Sequence, residues 1–289
     1  LHNIQGIVTF GYTGASPALM GACAQRNIEL TFMSGNGRFL ARISGEVKGN
    51  VTLRKQQYRF SENPEESIRF ARNFITGKVY NSRWILERAI RDYPLRIEID
   101  CLKEKSRFLY QSLENIRICE NSARLLGLEG EVASVYFSVF NELILQQKES
   151  FYFHGRTKRP PLDRVNAMLS FAYSLLAGMC GSAFEAVGLD PYVGFYHTDR
   201  PGRISLALDL MEELRGVMAD RFVLTLINKR IMKEAHFIEK EDGAVLLNDI
   251  GRKIFLNAWQ ERKQEVIKHP FLEEKLEWGM IPYAQALLL

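Results

Sequence analysis

Cysteine is sparse and unpaired in this sequence: Cys23, Cys101, Cys119 and Cys180 stand far apart and form no C-x-x-C pair. Neither a disulfide framework nor a cysteine zinc knuckle is indicated, and a reducing cytoplasm is the expected compartment. A large charge excess is also lacking, the formal net being +4 over 289 residues. No signal peptide opens the chain, and no internal repeat or low-complexity segment interrupts it. One stretch, Val165 to Phe184, carries no charged residue and approaches the length of a membrane span. It holds Asn166, Ser170, Tyr173, Ser174, Ser182 and two glycines, so it reads as a buried helix inside a helical domain, and no membrane partner is expected. The first residue is Leu1 rather than Met, and a strand-like pattern begins at once. The expectation is a fragment or trimmed product whose first strands are missing.

What is present is apolar enough for a real core, 46% of residues being hydrophobic, in one large domain or two ordinary ones. The charge is unevenly spread. Residues 1 to 80 hold ten Lys/Arg against five Asp/Glu, and the remainder is nearly neutral. An anionic partner near the first part is one reading, and a solvated basic face is the other.

The β-branched run at 4 to 10 predicts a strand, and Ser16-Pro17 predicts a helix start, running to about Arg26. The segments 29 to 34 and 38 to 46, joined through Ser34-Gly35-Asn36-Gly37, read as a hairpin in which Phe39, Ala41 and Ile43 alternate with polar neighbours. Residues 1 to 48 therefore form a small β-rich unit, apparently truncated. From about 49 to 289 the pattern is helical, giving an α+β chain whose larger second part is all-α. Asn63-Pro64-Glu65-Glu66 predicts a helix start, and Gly77 its end. Further helices are expected at about 95 to 120, 128 to 147, 161 to 187, 204 to 216, 218 to 234 and 249 to 266.

Between Gly194 and Arg215 the chain places an imidazole, a turn and two helical acids within one short span. His197 precedes the turn Arg200-Pro201-Gly202, and Ser205 is available to cap the helix that follows. Asp209 and Glu212 are three residues apart, so both project from one face, among leucines. Two such acids repel each other and resist burial, which calls for a cation opposite them. Glu129, bracketed by Gly127 and Gly130, is the candidate third ligand, while Glu131 points to another face. Glu129, His197 and Glu212, with Asp209 beside them, make a mixed carboxylate and imidazole set that suits Mn²⁺ or Mg²⁺. The loop HGRTKRPPLDR carries Arg156, Lys158, Arg159 and Arg164. It is either a solvated interhelical loop or a contact to a phosphate backbone. Arg215, one turn beyond Glu212, either touches a phosphate at the metal or complements its helix end. Asn166 either binds a phosphate or satisfies a backbone group beside the buried helix. Tyr136 and Tyr173 are hydroxyl-bearing candidates nearby, with packing the competing role for Tyr136.

Six segments carry a resemblance to a family: KGNVTLRKQQYRF (48 to 60), GKVYNSRWIL (77 to 86), GLEGEVASVYF (127 to 137), RPPLDRVNAMLSFAYSLL (159 to 176), GLDPYVGFYHTDRPGRISLALDLMEELR (188 to 215) and IPYAQALLL (281 to 289). In this order they resemble the CRISPR-associated integrase, the first family of Cas proteins, with a flavour of the type I-C branch. The resemblance implies a β-domain joined to a helical catalytic domain, and homodimers formed through the β-domains. It also implies a divalent metal on Glu129, His197 and Glu212, with Asp209 as a supporting or alternate ligand. The implied activity is insertion of spacer DNA into an array by attack of a 3′-OH on a phosphodiester. The implied partners are DNA, a second small adaptation protein and an accessory nuclease. Readings from other classes are a general metal-dependent nuclease and a non-catalytic DNA-binding scaffold.

Overall fold

Ser16 and Pro17 start the first helix as their chemistry dictates, the Ser16 hydroxyl accepting from the Leu19 N–H at 3.2 Å. The computed structural model describes residues 4, 6–26, 28–35, 39–43 and 51–289. The expected turn residues Asn36 and Gly37 and the expected domain boundary at residue 48 lie outside them. Strand β1 (Gly6–Phe10) leads through helix α1 (Pro17–Gln25) to β2 (Glu29–Met33), which pairs parallel to β1. Strand β3 (Phe39–Ile43) then pairs antiparallel to β2, as the alternation predicts. A small cluster of Cys23, Ile28 and Leu30 fills the space under α1. The sheet is tied to the rest of the chain by Arg42, which pairs with Glu185 and donates to the Ser182 hydroxyl, and by Phe10 against Phe171.

Helices α2 (Val51–Glu62), α3 (Pro64–Asp92), α4 (Ile99–Arg117) and α5 (Ser122–Ser138) follow. Asn63 caps α3 by accepting from Glu65 N–H at 2.9 Å, as its sequence predicts. Gly77 does not end that helix. It lies within α3, where an added Cβ would sit 2.6 Å from Glu213 Cγ, so the glycine serves close approach of two helices rather than a stop. Helix α6 (Arg164–Val187) is capped by Asp163, which accepts from the Asn166 N–H at 2.7 Å, and is closed by Gly188 in the left-handed conformation. Among the described residues it is the one helix long and apolar enough to cross a membrane. Here it is core: Val165, Met168, Leu169, Ala172, Leu176 and Cys180 are fully buried, and it packs on α7 (Ser205–Leu214) and α10 (Ile281–Leu288).

Helix α7 continues through a π turn at Arg215–Asp220 into α8 (Arg221–Asn228), and α9 (Asp249–Gln264) follows. The helical body departs from purely α in two ribbons, β4 (Phe237–Glu239) with β5 (Val245–Leu247) and β6 (Val266–Lys268) with β7 (Lys275–Glu277). Three-residue strands are too short to show a period of two in the sequence, and the first ribbon turns tightly through Gly243 at φ +78°.

Candidate functional site

Lys78 stands on the inward ridge of α3, with Phe74, Ile75, Val79 and Ser82 buried around it. Its ammonium pairs with Glu129 of α5 and lies 2.7 Å from Glu212 Oε2 of α7, a contact off the line of a hydrogen bond. Three helices remote in sequence thus bring one cation and two carboxylates together. Glu212 is further paired with Arg215 one turn on, and its Oε1 lies 3.9 Å from His197 Nε2. Burial opposes ionisation of Glu212, but Arg215 and then Lys78 prevail and hold its carboxyl at about 2. The Tyr196 hydroxyl donates to Glu129 at 3.4 Å. Burial and then the Glu129 and Glu212 charges push that phenol well above its usual range, so it stays neutral.

Asp209, three residues before Glu212, serves the loop instead. Its carboxylate accepts from three successive backbone N–H groups, Phe195 at 2.7 Å, Tyr196 at 2.9 Å and His197 at 2.8 Å, and lies 2.7 Å from His197 Nδ1. A carboxylate accepts, so the Nδ1–H is turned to Asp209 and Nε2 is the ring nitrogen left on the side of Glu212. This carboxylate–imidazole pairing is the usual way a ligating histidine is oriented. The loop is anchored on its other side by Gln57, which donates to the Asp190 and Val193 carbonyls at 2.8 and 2.9 Å. The Ser67 hydroxyl donates to Phe195 O at 2.8 Å, and Phe70 stacks on Phe195. Ser205 makes no helix cap; its hydroxyl donates to Thr198 O at 3.2 Å and ties the loop to α7.

Beside the carboxylates, Arg156 and Arg215 both stack on Tyr173, at 5.1 and 4.8 Å from the ring centroid. The Tyr173 hydroxyl donates to Asp220 at 2.6 Å, and burial, with Asp220 next, pushes its pKa up. Among the described residues the buried Nε–H groups of Arg156 and Arg215 have no protein acceptor. Partial desolvation of an otherwise exposed side chain lowers the pKa of Lys158, and the charges of Arg215 and Arg156 lower it further. Lys158 and Arg159 are exposed.

Of the sequence-predicted residues, Glu129, His197, Glu212, Asp209 and Arg215 meet in one place, with Arg156 and Lys158 alongside. Two expectations need correction. Asn166 is fully buried and engaged on every side: its oxygen accepts from Arg156 and Thr157, and its amide donates to Gly155 O and Asp163. It shapes the loop and has no capacity left for a phosphate. Arg164 donates to Ser150 O at 2.9 Å and pairs with Glu234 rather than standing free. Sequence reasoning passed over Lys78, although the signal is there: a lysine three residues after Ile75 and four after Phe74 falls on an apolar ridge. It also passed over Tyr196 and Gln57, whose roles depend on packing alone.

The chemistry of the donor set fits a divalent cation: two carboxylates and a correctly oriented imidazole nitrogen, all oxygen or nitrogen, converge where a positive charge already sits. Among the described residues no three such side chains stand preassembled at ligating distance, Lys78 lying between the two carboxylates.

The family described as CRISPR associated protein Cas1 matches residues 1–261. A CRISPR-associated endonuclease Cas1 of Chlorobaculum tepidum is 45% identical over 289 residues, covering all of this chain and 84% of that protein. One from Rhodospirillum rubrum is 49% identical over 293 residues with the same coverage. Relatives also include an exonuclease Cas4/endonuclease Cas1 fusion from Geobacter sulfurreducens, 34% identical, of which this chain covers 51%. Among solved structures, a casposase bound to integration product superposes with a TM-score of 0.85 at 25% identity, over 98% of this chain and 76% of the casposase.

Proposed function

The chain belongs to the CRISPR-associated Cas1 family, and from that premise we propose that it is a metal-dependent DNA endonuclease and integrase in which a DNA 3′-OH attacks a phosphodiester phosphorus of a CRISPR array, a new P–O bond replacing the P–O3′ bond and the array strand's 3′-OH leaving. The nuclease and integrase class is supported by relatives named as endonucleases and by the casposase likeness. The observation that carries the metal-dependent reading is the convergence of Glu129, Glu212 and His197 Nε2, with Asp209 fixing the imidazole from behind.

Glu129, Glu212 and His197 are the residues that would hold Mn²⁺ or Mg²⁺. Such an ion, when bound, supplies Lewis acidity at a phosphoryl oxygen and lowers the pKa of an attacking hydroxyl. The chain's own groups do the rest. Arg215 and Arg156, stacked on Tyr173, place two guanidinium charges beside the carboxylates, where they offset the charge of a phosphate. Lys158 and Arg159 hold the flanking backbone as point charges without reading its sequence. Asp209 keeps His197 in a single tautomer, and Tyr196, kept neutral, steadies Glu129 by donation.

The proposed partners are DNA, a second copy of this chain, a small second adaptation protein and an accessory nuclease; the Cas4/Cas1 fusions support the last. The setting is cytoplasmic. The type I-C branch rests on sequence resemblance, and the array repeat accepted in the assay tests it. That assay supplies the protein with the adaptation protein, a duplex bearing free 3′-OH ends and a supercoiled repeat plasmid, with and without Mn²⁺. Glu129→Ala and His197→Ala are expected to abolish strand transfer while leaving DNA affinity nearly intact. Full activity in either variant overturns the assignment. Cutting without joining would make the protein a general nuclease, and binding without metal-dependent cutting would make it a scaffold.

A further inference from the structure

Lys78 is the charged group of the site that the proposed chemistry leaves without a role. Its side chain is 7% exposed, and its ammonium touches carboxylates from two other helices. A buried ammonium is tolerated only when paired, and so are buried carboxylates. The local charge closes on itself: Glu129 and Glu212 against Lys78 and Arg215. Arg215 is held in place by stacking on Tyr173 as well as by Glu212. Among the described residues Lys78 has no such second anchor, and its four-carbon stem lets the ammonium swing without moving the α3 backbone.

A divalent cation entering this pocket with Lys78 still in place would put four positive charges against two negative ones. Like charges a few ångströms apart in a poorly solvated site repel strongly. With the ammonium withdrawn, the same ion meets two converging carboxylates and His197 Nε2. We infer that Lys78 is the resident counter-ion of the metal-free site: it holds Glu129 and Glu212 together, and a divalent ion must displace it to bind. Metal affinity is therefore set below what the three ligands alone would give. Metal-free protein keeps its carboxylates neutralised and its three helices packed. The inference rests on the proposed reading that the site takes a divalent metal.

The test is calorimetric titration of Mn²⁺ into the full chain, stripped of metal, for the wild type, Lys78→Met, Lys78→Gln and Lys78→Arg. The neutral variants are expected to bind Mn²⁺ at least about tenfold more tightly than the wild type, because the competing charge is gone. Lys78→Arg, which keeps the charge, is expected to stay at or below wild-type affinity. Melting curves add a second readout. Metal-free Lys78→Met should melt below the wild type, and Mn²⁺ should raise its Tm by more than it raises the wild type's. Should Lys78→Met fail to fold, Lys78→Gln, whose amide can donate to the carboxylates, carries the test. Wild-type binding with unchanged or weaker affinity in the neutral variants overturns the counter-ion inference and leaves the proposed function standing. Absence of Mn²⁺ binding in every form overturns both.

Discussion

At Gly194 an added Cβ would lie 2.8 Å from Ser205 Cβ and 3.0 Å from both Asp209 Oδ2 and His197 O. Those atoms belong to the clamp that aims the imidazole: Asp209 receives the loop amides, and Ser205 ties the loop to α7. No flexible side-chain end is there to yield, so a methyl group must push the loop away from Asp209. Gly194→Ala is expected to cost about 1–3 kcal/mol, as overpacking usually does, and to reduce strand transfer at least about tenfold by misplacing His197 Nε2. Calorimetric melting with the integration assay checks both, and a variant with wild-type Tm and rate would refute the clamp. The same residues show how far single positions were legible. Three-residue spacing put Asp209 and Glu212 on one face, but not which faced the loop. That was decided by three backbone N–H groups, whose direction depends on the loop's path.

Helix α7 carries a third acid whose environment is a matter of element packing. Glu213 is pressed against α3 at Gly77 and takes a hydrogen bond from Gln285 of α10. Burial pushes its carboxyl from the usual 4.5 up to about 7, the Gln285 bond opposing. Below about pH 4.5 the group is protonated in both folded and unfolded chains and has no effect on stability. Between 4.5 and 7 the unfolded chain releases its proton first, so stability falls as pH rises. Above 7 the loss is constant. Glu213→Gln is therefore expected to be more stable than the wild type by roughly 1–2 kcal/mol at pH 8, discounted for residual exposure, and no more stable at pH 4. Urea unfolding at the two pH values decides it; an equal difference at both would exclude titration of this group. Capped helix starts were plain in the sequence at Ser16 and Asn63, because a cap is a local hydrogen bond. Gly77 misled for the opposite reason. Its cause is Glu213 on another helix.

On the scale of the whole molecule, net positive charge concentrates in the first 80 positions, where acids are few, and in the loop from Arg156 to Arg164. The fold sorts that loop. Arg156 is locked beside the site, Lys158 and Arg159 are exposed, and Arg164 is occupied by Glu234 and Ser150. Phosphate contacts show in the salt dependence of DNA affinity. Lys158→Ala and Arg159→Ala are each expected to weaken DNA binding several-fold and to lower the slope of log K against log salt by about one. Arg164→Ala is expected to leave the slope unchanged. Binding isotherms at several salt concentrations measure this, and a slope insensitive to all three would remove the loop from the DNA path. The sequence by itself determined the α+β class, the capped helix starts at Ser16 and Asn63 and the family, since these rest on local hydrogen bonds, hydrophobic period and residue type. Only the tertiary structure decided that Lys78 stands between Glu129 and Glu212, that Asp209 serves His197, and that Asn166 is enclosed. Each depends on where α3, α5, α6 and α7 meet, and side chains far apart in the chain acquire their partners only when those helices pack.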